Sequence, residues 1–70
     1  MANSRDPFDD VNIREEVRQM LLSLPERQRA ALVLTEIFDY SSEQAANTLG
    51  VRPTTVRALA SQGRAALRTT

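Results

Sequence analysis

The sequence contains no cysteine, histidine, lysine or tryptophan, and only two glycines and three prolines among 70 residues. Without cysteine there is neither a disulfide framework nor a thiolate zinc site, a usage that fits the cytoplasm. Without histidine the chain lacks the commonest metal ligand and the commonest general base at neutral pH. No glycine-rich phosphate loop is present, and the nearest carboxylate pair, Glu15 and Glu16, is adjacent in sequence and points to different sides of a helix. No catalytic residue, metal ligand or cofactor is therefore expected, and the chain does not read as an enzyme. No apolar run approaches the roughly 18 residues of a transmembrane span, and the start has no signal-peptide pattern.

Seventy residues allow one domain. A chain this short buries only about 60% of its unfolded surface, so its core is marginal, and the patterning is all helical. The net charge of zero hides an asymmetry. Residues 1–50 carry five arginines against nine acids, whereas residues 51–70 carry four arginines and no acid. Such a dipole orients the C-terminal end toward a polyanion.

The stretch around which the chain is organised runs from Ser41 to Arg68. Ser41 and Gln44 form an S-x-x-Q capping box that opens a helix. Gly50 stands where that helix ends, in the left-handed conformation that glycine enters without penalty. Pro53 suits the first turn of the next helix, where a missing N–H costs nothing. The spacing is that of a helix-turn-helix. Ala45, Ala46 and Leu49 make the inner face of its first helix, and Val51 plugs the turn. Val56, Leu59, Ala60, Gly63 and Leu67 make the inner face of its second. On the opposite side Arg57, Ser61, Arg64 and Arg68 recur at four, three and four residues, a single polar stripe. Arg52, Thr54 and Thr55 lie at the N-terminal end, which in this motif meets base edges.

Upstream, residues 1–10 are polar and aperiodic and read as a flexible leader or linker remnant, leaving the domain to residues 11–70. A helix is expected from about Asp10 to Ser23, capped by Asp9 or Asp10. Its inner positions are Val11 or Ile13, Val17, Met20, Leu21 and Leu24. Pro25 fits the first turn of a second helix reaching about Phe38, with Ala30, Ala31, Val33, Leu34, Ile37 and Phe38 apolar over a wide arc. Tyr40, in the link that follows, shields the core edge.

Leu24-Pro25-Glu26-Arg27-Gln28-Arg29, Tyr40-Ser41-Ser42-Glu43-Gln44-Ala45-Ala46, Leu49-Gly50-Val51, Thr55-Val56-Arg57 and Gly63-Arg64-Ala65-Ala66-Leu67-Arg68, in that order, resemble region 4 of bacterial sigma-70-type factors, in particular the extracytoplasmic-function group. The resemblance covers about residues 20–68. It implies an all-α, four-helix domain with a C-terminal helix-turn-helix, of the winged-helix-like DNA-binding class but without a wing. It further implies recognition of the −35 promoter element in double-stranded DNA, in the cytoplasm, for RNA polymerase. Mapped residue by residue, base reading falls to Arg52, Pro53, Thr54, Thr55, Arg57, Ala58 and Ser61. Phosphate binding falls to Arg29, Ser41, Ser42, Glu43, Gln62, Arg64 and Arg68. The family also docks on the polymerase β-flap through an apolar groove of the first helices, and an anti-sigma factor covers the same surfaces. The chain departs from the family's Ser-Arg-Leu run at Ala58-Leu59-Ala60 and carries Gln62 where a second arginine is common. Two other readings stand beside it: the effector domain of a LuxR-type response regulator, also a four-helix DNA reader, and a helix-turn-helix domain used mainly for protein–protein interaction.

Overall fold

The computed structural model describes residues 14–68. The leader, the expected caps Asp9 and Asp10, and the apolar Val11 and Ile13 lie outside the described residues. The first helix, α1, spans Glu15–Leu22, so the helix expected from about Asp10 opens at Glu15 instead. Arg14 is extended (φ −65°, ψ 149°) at the N-cap and provides no side-chain cap. The acids of the first turn, Glu15 and Glu16, suit the positive end of the helix dipole. Gln19 ties back to Glu15 at 2.7 Å. Only part of the expected inner stripe is covered. Leu21 and Leu24 are buried, whereas Val17 and Met20 remain 42% and 38% exposed. The cause is that α1 packs chiefly on one neighbour and so has only one edge to bury.

Pro25 serves as the N-cap of α2 (Glu26–Leu32) and not as its first-turn residue. The helix passes without interruption into a π-helical turn, Val33–Ile37, which closes at Phe38. The N–H of Phe38 donates to Val33 O at 3.1 Å and that of Tyr40 to Leu34 O at 2.9 Å. The hydroxyl of Thr35 donates to Ala31 O at 2.8 Å, a back-bond of the kind that bends helices. Asp39 then takes φ 61° and turns the chain toward the next helix. This continuous segment is the centre of the core: Ala30, Ala31, Leu32, Val33 and Leu34 are all buried. The wide apolar arc is thus real, but it stops at Leu34. Ile37 and Phe38 are among the exposed apolar side chains, and Tyr40, with its ring 6.1 Å from that of Phe38, is no better covered.

The helix α3, Ser42–Leu49, opens with the expected capping box. Gln44 N donates to Ser41 Oγ at 3.0 Å, and Ser41 N donates to Gln44 Oε1 at 2.8 Å. It ends at Gly50, left-handed with φ 70°. The N–H groups of Gly50 and Val51 both reach Ala46 O, so that the turn satisfies a helix-end carbonyl. The last helix, α4, runs Pro53–Arg68, about 24 Å at the usual rise per residue. It packs on α2 and α3 through Val56, Ala60 and Gly63, with Leu59 and Leu67 half-buried. A glycine is required at position 63 because a Cβ there would meet Leu32 Cδ1 at 2.8 Å, which fixes how closely α4 crosses α2. The result is an all-α domain whose α3–turn–α4 unit is the helix-turn-helix.

Candidate nucleic-acid interface

The buried residues of α4 recur on one side, so the remaining positions face outward as a set. Arg57, Ala58, Ser61, Gln62, Arg64 and Arg68 are all exposed, as are Arg52 and Thr54 at the helix start. Pro53 and Thr55 are half-buried, so these two base-reading candidates support the turn more than they project from it. Arg52 holds the capping position, its carbonyl accepting from Val56 N at 3.1 Å. The face therefore begins with a cation, continues through Thr54, Arg57, Ala58 and Ser61, and ends with Arg68. An arginine can pair bidentately with guanine, a hydroxyl with any base, and an alanine methyl with the thymine methyl.

Arg57 and Arg64 differ in their surroundings. Arg57 makes no ion pair among the described residues and is exposed. Arg64 was expected to be an open cation for phosphate. It is instead held by Glu36 of the π turn, Nη1 to Oε2 at 2.9 Å. Arg29, expected to grip phosphate, is half-buried, and its Nη1 donates to Leu24 O at 3.4 Å. It braces the α1–α2 corner from inside the fold.

The start of α3 lies beside this face. A shallow groove of about 270 Å³ is lined by Thr35, Glu36, Ser42, Arg57 and Arg64, bringing Ser42 and both arginines to one place. The capping box uses the N–H of Ser41 and of Gln44, which leaves the N–H groups of Ser42 and Glu43 at the helix opening, where an anion is favoured. Glu43 suits phosphate only through that backbone N–H, since its own carboxylate is exposed and repels an anion.

Two contributors escape sequence reasoning. Gln28 of α2 donates to Gln62 Oε1 at 3.4 Å, linking residues 34 apart, and Glu36 pairs with a residue 28 further on. Neither is signalled by local spacing, because both pairs depend on how α4 crosses α2. Among the described residues no group of three or more acids is placed to hold a metal ion, and no helix is long and apolar enough to cross a membrane.

Comparison with known proteins agrees with this geometry. The model of a family described as sigma-70, region 4 matches residues 14–67. Two curated relatives, both the probable ECF RNA polymerase sigma factor SigI of Mycobacterium tuberculosis (strains CDC 1551 / Oshkosh and ATCC 25618 / H37Rv), are 41% identical over 67 residues. The aligned part is 90% of this chain, and the chain spans 23% of the length of those relatives. No solved structure matches the sequence.

Proposed function

Because the chain belongs to the sigma-70 region 4 family, we propose that it reads the −35 element of promoter DNA in the major groove, as the promoter-proximal module of a sigma factor of the extracytoplasmic-function group. The observation that carries this reading is Arg57, an exposed guanidinium without an internal ion pair at the centre of the helix-turn-helix face. Around it Arg52, Thr54, Ala58 and Ser61 supply the remaining base-edge chemistry, while Ser42, Glu43 N–H, Gln62 and Arg68 supply contacts to the backbone. The family match separates this reading from the LuxR-type alternative. The test is selection of bound sequences from a randomised duplex pool. Wild-type protein should enrich one short element, and Arg57→Ala should lose preference at one or two positions of it. Enrichment of the same element by both proteins would place α4 elsewhere.

A second surface supports docking on RNA polymerase core, where the β-flap is the partner of this reading and an anti-sigma factor its competitor. Val17, Leu21, Leu32, Val33, Ile37 and Leu67 line an apolar groove on the side of α1 and the π turn. Ile37 is 39% exposed at its edge, so replacing it leaves the core intact. Ile37→Glu should weaken binding to polymerase core at least tenfold in a pull-down titration while leaving the DNA affinity within twofold (about 1.4 kcal/mol per factor of ten). Both activities place the protein with the polymerase in the cytoplasm.

A further inference from the structure

The Glu36–Arg64 pair stands within the groove that also holds Arg57 and Ser42, so a carboxylate occupies ground that a DNA phosphate would take. Both side chains are partly solvated, 47% exposed for Arg64 and 58% for Glu36, and each can therefore exchange partners without opening the core. Glu36 belongs to the π turn, a local departure from α-helical geometry that is frequent at functional sites. It is also an acid on the side of the molecule where the arginines gather.

We propose that Glu36 sets the affinity of the domain for DNA by competing with phosphate for Arg64. In the free protein the Arg64 guanidinium is held by the Glu36 carboxylate. On a duplex, one ion pair is given up and another forms, with no covalent change, and the released carboxylate turns to solvent. Binding thus carries a fixed internal cost that limits adhesion to arbitrary DNA, and correct base contacts through Arg57 must outweigh it. This inference rests on the DNA-reading function above and adds to it a residue on α2's π turn that makes no contact with DNA itself.

A two-by-two set of full-length proteins tests it: wild type, Glu36→Gln, Arg64→Ala, and the two substitutions together. Each is titrated with a short mixed-sequence duplex at low salt. An exposed pair of this kind is worth up to about 1 kcal/mol, so Glu36→Gln should tighten binding about two- to fivefold. That gain should vanish when Arg64 is already alanine. If Glu36→Gln gains as much without Arg64 as with it, Glu36 is merely a repelling charge and the proposal is overturned, although the DNA reading stands. No gain in either background also overturns it. If none of the four proteins binds duplex, the DNA reading itself fails. Because the pair is exposed, all four variants should retain the wild-type helical circular dichroism, which confirms that the comparison is between folded proteins.

Discussion

Arg57 is the residue on which base preference turns. A good bidentate arginine–guanine pair contributes about 1–3 kcal/mol of discrimination, so Arg57→Ala should bring the best and second-best bases at its position within about tenfold of each other or closer. Competition gel shifts with single-base duplex variants measure this directly. Arg57 was legible in the sequence because helical period alone places it opposite Val56 and Ala60. The state of Arg64 was not legible. Its period puts it on the same stripe, but a partner 28 residues upstream changes what its charge is free to do. Arg29 illustrates the same limit: its side chain bends inward to Leu24 O, a choice fixed by the corner at Pro25 and not by its neighbours in sequence.

At the scale of elements, punctuation was the most readable feature. Ser41, Gln44, Gly50 and Pro53 act through their own backbone, so local chemistry suffices to locate α3, the turn and the start of α4. The extent of α1 and the burial of its stripe were less readable, since Val17 and Met20 would be core residues only if another element covered them. The π turn carries no local signature at all. Asp39 marks its exit with φ 61°, a conformation that costs a residue with a Cβ roughly 1–2 kcal/mol and that aspartate tolerates better than most. Asp39→Val should therefore destabilise the domain by about 1–2 kcal/mol. Asp39→Gly should stay within about 1 kcal/mol of wild type, the relief of the turn being offset by glycine's greater loss of freedom on folding. Urea denaturation of the two variants distinguishes them; equal losses would mean that the conformation is not the issue.

The whole molecule depends on a small core. Leu34, Val33 and Val56 are its largest fully buried side chains, and they join the π turn to α4. Leu34→Ala removes about 2–5 kcal/mol, comparable to what a core of this size supplies in total. The variant should be largely unfolded at room temperature by circular dichroism, and should lose DNA binding with it. Charge is also distributed at this scale: the acids of the first fifty residues and the arginines of the last twenty give the domain opposite ends, so its approach to a duplex is oriented before contact. The π turn has one more effect. Its Phe38-to-Val33 bond spans five residues where an α-helical one spans four, so the segment behaves as though one position had been inserted. Deleting a residue between 33 and 37 would restore regular winding but swing everything after it by about 100° around the axis, carrying the capping serine away from the groove. Length in that segment is therefore under as tight a constraint as composition, and insertions or deletions among functional kin of this domain should fall outside it.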